Sequence, residues 1–303
     1  MKLIFAGTPK AGRIVLEKLI KSHEISLVIT RPDAPTGRKR ELVASDVAQF
    51  AQKHGLPVLK TNKLTSEQIE QIRVCDAELA VVVAFGAIIP RPALDILPWW
   101  NLHFSILPKW RGASPLQHSL IYQEGQGVTV FELDDGLDTG PIVSSKEIKL
   151  PVDAPAGELL VSLAALGGDL LLENLGAKYQ LTPQRGEATH APRINRADVR
   201  IDFNLSAAEL QRRVYAFNPE PMSWCKAEHL DLRILAAKAL GDVDWDALGN
   251  HGAIPGQLLL ESSKVIVACG GGTRLELLEV QPAGGKRMSA KEWVRGFKGA
   301  RLD

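Results

Sequence analysis

Asn101, His103 and Asp138 bring an amide, an imidazole and a carboxylate to two separate turns of the chain. Groups of these types can move an acyl group onto an amine. The amide and the imidazole stabilise an oxyanion, and the imidazole or the carboxylate takes a proton. Asn101 and His103 are two residues apart, so on a strand both side chains leave the same face. The run Pro108-Lys109-Trp110-Arg111-Gly112 then turns the strand into a loop on which a substrate can lie. Spacing alone leaves plainer readings open. A lone strand histidine is more often a satisfied polar group than a catalyst. Asp138 also competes with Asp134 and Asp135 in the same turn, where Asp before Gly is common for conformational reasons alone.

The elements that must position these groups alternate. Leu3 to Ala6, Ile25 to Ile29, Val58-Leu59, Leu79 to Ala84 and Trp100 to Phe104 are short apolar runs that predict strands. Between them, Ala11 to Ser22, Val47 to His54 and Ser66 to Arg73 carry apolar residues at helical spacing. Strand–helix alternation predicts a mostly parallel α/β sheet with helices on both faces, and doubly buried strands need no period-two pattern. Ligands of such sheets bind beyond the carboxyl ends of the strands, where Asn101 and His103 fall. Val128 to Leu133 and Ile142-Val143 predict further strands on either side of the Asp138 turn, and Ala156 to Lys178 a long helix. The layout is that of a mononucleotide-binding fold, but Gly-x-Gly-x-x-Gly is absent. Gly7 and Gly12 lack the Lys-Ser/Thr of a phosphate loop, so neither NAD nor ATP is expected.

Composition narrows the classes. The 303 residues are 45% hydrophobic and 23% charged, ordinary for a soluble globular protein, with room for two domains. A net charge of +1 does not announce nucleic acid, so any RNA contact must come from local basic clusters. Cys75, Cys225 and Cys269 have no zinc-like spacing, and no metal is expected. An odd cysteine count without a framework fits a reducing cytoplasm. The longest apolar run, Leu79 to Pro90, is too short to span a bilayer, and membrane association is not expected.

Residues 184–203 mix Pro, Gly and charge and read as a linker between domains at 1–183 and 204–303. Past a helix at Ser206 to Ala216 the character changes. Short runs at Ser223 to Ala227, Leu230 to Ala236, Gly256 to Leu260, Lys264 to Ala268 and Leu275 to Val280 predict a small β-barrel.

The pattern Asn-x-His, then Ser105-Ile106-Leu107-Pro108-x-x-x-Gly112, then Leu137-Asp138-Thr139-Gly140 resembles that of the 10-formyltetrahydrofolate-dependent formyltransferases. Ile106 is a mild departure from that family's Leu, and Phe104 stands where many relatives have Gly. Phe5-Ala6-Gly7-Thr8-Pro9, Arg31-Pro32-Asp33 with Gly37-Arg38, Ile201-Asp202-Phe203, Phe217-Asn218-Pro219 with Ser223-Trp224, and Gln281-Pro282-Ala283-Gly284 extend the likeness over nearly the whole length.

The resemblance implies a Rossmann-like catalytic domain and an oligonucleotide-binding-like (OB-like) C-terminal barrel. It implies the branch of the family that formylates the amino group of methionyl initiator tRNA, with 10-formyltetrahydrofolate as co-substrate and a monomeric protein. Asn101, His103 and Asp138 are then the catalytic residues, and Ser105, Ile106, Leu107 and Pro108 line the folate. Phe85 to Pro90, after the central strand, would wall the pterin. Arg38, Lys39 and Arg40 match a loop that approaches the acceptor end of the tRNA, although such runs are usually solvated loop tips. Lys286 and Arg287, in a basic C-terminal stretch, would add phosphate contacts, with a solvated helix face as the competing reading. Linker residues Arg185, Arg193, Arg196 and Arg200 extend that stripe. Three other functions stay in view: a folate formyltransferase acting on a sugar or other small amine, a hydrolase that releases formate, and a catalytically silent RNA-binding module.

Overall fold

The computed structural model describes residues 1–37, 40–241, 253–261 and 264–303. The chain divides into two compact units. The first comprises Met1–Pro115, Glu124–Lys149 and Leu160–Ala191; the second comprises Leu116–Gln123, Leu150–Leu159 and Pro192–Asp303. Residues 184–191 therefore lie in the first unit and 192–203 in the second.

In chain order the first elements are β1 (Lys2–Gly7), α1 (Lys10–Leu19), β2 (Glu24–Thr30), the hairpin strands β3 (Ala34–Thr36) and β4 (Glu41–Val43), α2 (Asp46–Lys53) and β5 (Val58–Lys60). Next come α3 (Ser66–Val74), β6 (Leu79–Val83), α4 (Arg91–Leu94), β7 (Trp99–His103), β8 (Arg111–Gly112) and α5 (Pro115–Tyr122). They are followed by β9 (Gly127–Glu132), β10 (Ile142–Glu147), α6 (Ala156–Asn174) and β11 (His190–Ala191).

The main sheet of the first unit runs β10-β9-β7-β6-β1-β2-β5. Five neighbouring strands are parallel; β9 pairs antiparallel with β7, and β10 pairs antiparallel with β9. The layout is Rossmann-like and mostly parallel, as the alternation of apolar runs and helical segments predicts. Strands β1 and β6 bury nearly every side chain, which explains why their sequences are continuous apolar runs. Helices begin where side chains can satisfy free N–H groups. The Ser45 hydroxyl accepts from Ala48 N, and Thr65 and Gln68 form a reciprocal capping box, each device contributing about 0.5–2 kcal/mol. The chain proceeds from β1 to β2 and β5, then crosses to β6 and β7 on the other side. At such a reversal, sheets of this kind bind ligands beyond the carboxyl ends of the strands.

The second unit contains α7 (Ala207–Ala216), β12 (Trp224–Ala227), β13 (Leu230–Leu240), β14 (Leu258–Glu261), β15 (Lys264–Ala268), β16 (Arg274–Pro282), β17 (Met288–Ser289) and α8 (Ala290–Val294). Its antiparallel sheet has the order β12-β13-β16-β15-β14, with β17 beside β16. The last residues of the chain reach both sheet edges. Asp303 and Lys226 exchange two backbone bonds of 2.9 and 2.7 Å at β12. Leu258 N donates to Ala300 O, and Leu302 N to Gly256 O, both at 2.8 Å, on the β14 side. Edge groups that would attract another chain are thereby paired. Leu210 and Val214 of α7 pack against Leu232, Ile234, Val267 and Leu275 to form the core.

Several boundaries differ from the sequence expectation. Strand β7 starts at Trp99, and β13 continues past Ala236 to Leu240. Helix α6 stops at Asn174, not Lys178, because Gly176 takes φ +79° and breaks the helical path. The β3–β4 hairpin and helix α5 have no counterpart in the reading of the sequence. Among the described residues no helix is long and apolar enough to cross a membrane.

Candidate active site

His103 closes β7 and is buried; the ring stands edge-on to Phe131 at 6.2 Å. Its Nε2 lies 2.9 Å from the carbonyl oxygen of Trp110. A carbonyl only accepts, so Nε2 carries the hydrogen. In the neutral ring Nδ1 then holds the free lone pair. Nδ1 faces Asp138 Oδ2 at 3.8 Å, too long for a hydrogen bond but close enough for charge–charge interaction. Burial disfavours the imidazolium, whereas the Asp138 carboxylate and the Trp110 carbonyl favour it. Burial prevails, and the His103 pKa lies below its ordinary 6.5. The ring rests neutral at pH 7, with a basic nitrogen turned toward the acid.

Asp138 belongs to the turn after β9. Its backbone takes φ +54°, a left-handed conformation that Asp tolerates better than most residues. Its Oδ2 accepts the Gly112 N–H at 2.8 Å. Gly112 itself takes φ +124°, and a Cβ there would stand 2.6 Å from Ala191 O, so no other residue fits this position without movement. The competing acids have structural occupations. Asp134 Oδ1 accepts from Gly136 N and Thr139 Oγ1, and Asp135 pairs with Arg91 at 3.2 Å. Asn101 sits two residues before His103, partly exposed; its side chain makes no hydrogen bond to any described residue.

Ser105 and Leu107 are buried, and their polar groups are engaged within the protein. Ser105 Oγ donates to Lys109 O at 2.7 Å, and Leu107 N donates to Thr129 Oγ1 at 3.2 Å. Ile106 and Pro108 are the partly exposed members of this run. Phe104 is buried, with its bulk turned into the unit. Phe85 is buried as well, while Ile88 stands exposed beyond the carboxyl end of β6. The intervening loop is fixed by Thr8 Oγ1, which donates to Phe85 O at 2.8 Å, and by Arg31 Nη1, which donates to Gly86 O at 2.5 Å.

Of the basic residues singled out in the sequence, Arg38 and Lys39 lie outside the described residues. Arg40 is exposed. Lys286 is exposed, and Arg287 pairs with Glu279 through its Nε and Nη2, so an arriving phosphate must compete with that carboxylate. Arg196 and Arg200 sit over the face of Trp224, 4.8 and 5.7 Å from the ring centroid, with Lys226 at 6.0 Å. A tryptophan ringed by cations suits bases and phosphates alike. In the sequence Trp224 stands out only as part of a motif, and Lys226 is not singled out.

The sequence reading also missed the groups that hold the pair: the Trp110 carbonyl, the Gly112 amide and the side chains of Thr189 and Gln184. Gly112 was visible as a motif glycine, but its role as donor to Asp138 was not. Among the described residues no group of three or more His, Cys, Asp or Glu is arranged to hold a metal ion.

A family profile described as formyl transferase matches residues 1–175, and one described as the formyl transferase C-terminal domain matches residues 193–298. Methionyl-tRNA formyltransferase of Corynebacterium glutamicum is 41% identical over 314 residues, covering 98% of each chain. The protein of the same name from Clavibacter sepedonicus is 40% identical, covering 98% of this chain and 97% of its own. Among solved structures, an N-formyltransferase from Helicobacter canadensis in complex with folinic acid and dTDP-3-aminofucose superposes with a TM-score of 0.65. It is 16% identical and covers 91% of this chain and 98% of its own, a likeness of fold. With both profiles matched and relatives near 40% identity along almost its full length, the chain belongs to the methionyl-tRNA formyltransferases of the formyl transferase family.

Proposed function

We propose that Asn101, His103 and Asp138 transfer the formyl group of 10-formyltetrahydrofolate to the amino group of methionyl initiator tRNA. The observation that carries the reading is the meeting of His103 and Asp138. They come from a strand and a remote turn, and face each other at 3.8 Å in the interior of one unit.

The reaction follows from the groups. The free α-amino group has a pKa near 7.7–8.0, so a fraction of it is neutral at pH 7 and can attack. Its nitrogen bonds to the formyl carbon, and the carbonyl electrons move onto oxygen. In this reading the Asn101 amide N–H stabilises that oxyanion. The proton shed by the nitrogen passes to His103 Nδ1, and the imidazolium so formed is offset by the Asp138 carboxylate. The bond from the formyl carbon to N10 then breaks as N10 takes that proton from the imidazolium, giving tetrahydrofolate, the formylated amine and neutral His103. Ile106 and Pro108 offer apolar surface to the folate, with Ser105 and Leu107 fixing the course of the loop.

Arg38, Lys39 and Arg40 serve the acceptor end of the tRNA in this reading, and Lys286 and Arg287 the phosphates farther along. The second unit is read as an OB-like barrel closed by the chain terminus. Residues 1–183 act as the catalytic domain, 204–303 as the tRNA-binding domain and 184–203 as the connection. Three free cysteines and a translation substrate support the reading of a reducing cytoplasm as the place of work.

The test uses the full chain, 10-formyltetrahydrofolate and methionyl initiator tRNA, with N-formylmethionine as the expected product. Formate release without tRNA, or formylation of a nucleotide-linked amino sugar in preference to tRNA, overturns the reading.

A further inference from the structure

The geometry points to Gln184 as a positioning residue for the Asp138 carboxylate, an inference that rests on the catalytic reading of Asp138 given above. The Gln184 side chain spans two loops of the first unit. Its Nε2 donates to Asp138 O at 2.9 Å and to Gly140 O at 2.8 Å. Its Oε1 accepts from Arg111 Nη2 at 2.7 Å and from Arg111 Nε at 3.1 Å. A primary amide has two N–H groups and one oxygen, and both ends are in use.

The two loops joined are those that define the acid. One carries Asp138 at φ +54°, flanked by the Gly140 carbonyl that Gln184 also holds. The other carries Arg111, and the next residue, Gly112, donates its N–H to Asp138 Oδ2. One side chain therefore sets the separation between the carboxylate and the amide that anchors it. The separation in turn fixes how the acid faces His103 Nδ1. No other side chain performs both tasks at this length. Glutamate accepts from Arg111 but has no hydrogen for the two carbonyls. Lysine and arginine donate but cannot accept, and asparagine is one methylene shorter. The surrounding chain reinforces the bridge, since Arg111 N donates to Thr189 O at 2.9 Å and Ser114 N to Ala191 O at 3.2 Å.

The experiment compares Gln184→Glu and Gln184→Met, each in the full chain and each in an Asp138→Asn background, by steady-state formyl transfer to charged initiator tRNA. A displacement of ~1 Å at a reacting group can cost ~10²-fold, so kcat of Gln184→Glu is expected to fall between ~10-fold and ~10²-fold. KM for the folate and for the tRNA is expected to stay within ~3-fold, because the loss lies in the reaction step and not in ground-state binding. In the Asp138→Asn background the same substitutions are expected to add almost nothing. The ratio of Gln184→Glu to wild-type kcat is also expected to rise as the pH is lowered, because a protonated carboxyl can again donate to a carbonyl. Wild-type kcat in both Gln184 variants overturns the proposal, as does an equal fractional loss in the two backgrounds. Should Asp138→Asn alone leave kcat intact, the catalytic reading of Asp138 falls first and this proposal with it.

Discussion

Gly112→Ala tests the coupling between fold and chemistry most directly. The residue takes φ +124°, where a side chain is strained by about 1–3 kcal/mol. The added Cβ also meets Ala191 O at 2.6 Å and Ala191 C at 3.2 Å, both backbone atoms that cannot rotate away. Either β8 or β11 must therefore move. Movement of β8 carries the Gly112 N–H away from Asp138 Oδ2, ending a hydrogen bond to a charged group that contributes about 1.5–3 kcal/mol. The lower ends of these ranges together give about 2.5 kcal/mol, and at ~2 °C per kcal/mol the thermal midpoint of the first unit falls by at least ~5 °C. The carboxylate, released from its anchor, no longer faces His103 Nδ1, and kcat falls by ~10²-fold at saturating substrate. Scanning calorimetry reads the first effect, and single-turnover formyl transfer at a temperature where the variant is folded reads the second. A variant that melts with the wild type and turns over at its rate would falsify the reasoning. One that melts early yet keeps its single-turnover rate would show that the Gly112 amide supports the fold alone.

In the proposed mechanism Asn101→Ala removes one oxyanion donor, so kcat is expected to fall ~10²–10³-fold with folate affinity unchanged; a loss confined to KM speaks against the role. His103 should titrate below 6.5 by NMR, and Asp138→Asn should lower it further, since the carboxylate is what raises it. Because the unfolded ring binds a proton near 6.5 and the folded one does not, stability is fully present above that pH. It declines on acidification below 6.5 by up to ~1.4 kcal/mol per pH unit, and a His103 that titrates above 6.5 contradicts the burial argument. Cys225 and Cys269 are buried, with thiols pushed up to about 12, so an aromatic disulfide reagent should label only Cys75 in the native protein and all three after denaturation. Rapid native labelling of a second thiol contradicts that burial. Arg38→Ala should raise the tRNA KM and lower the salt slope of binding by ~1, leaving folate affinity alone; a fall in folate affinity instead means that this loop serves the pterin.

How much of this was legible in the sequence differs by scale. The parallel strands were, because β1 and β6 bury both faces and so read as apolar runs no helix would need. Helix ends were less legible, since α6 ends where Gly176 takes a positive φ and nothing in the apolar pattern marks that residue. The β3–β4 hairpin was hidden for a physical reason: its residues are exposed, so no buried face imposes a period on them. Asn101, His103 and Asp138 stand out in the sequence by residue type and by resemblance, with spacing alone leaving other readings open. Gln184 was hidden differently. It is 46 residues from Asp138 and 73 from Arg111, in a stretch whose Pro, Gly and charge read as a connection between domains. Local composition cannot disclose a contact that only tertiary structure creates.

The same point bears on why the acid stands 3.8 Å from His103 and not at hydrogen-bond distance. Were Asp138 Oδ2 to accept a hydrogen from Nδ1 in the resting protein, that nitrogen would have no lone pair to offer a substrate. The Trp110 carbonyl prevents this by claiming the hydrogen for Nε2. Trp110 can aim its carbonyl there because its backbone adopts φ +64°, unusual for a bulky residue. Two bonds hold that conformation: Trp110 N donates to Thr189 Oγ1 at 2.9 Å, and its indole Nε1 donates to Glu124 O at 2.7 Å. A strained tryptophan thus fixes the tautomer, the tautomer frees Nδ1, and in the proposed mechanism the carboxylate acts on the imidazolium only once a proton has arrived. Thr189→Val, which keeps the shape and removes the acceptor, loosens the first link of that sequence, and its cost should appear in kcat and in the His103 titration together.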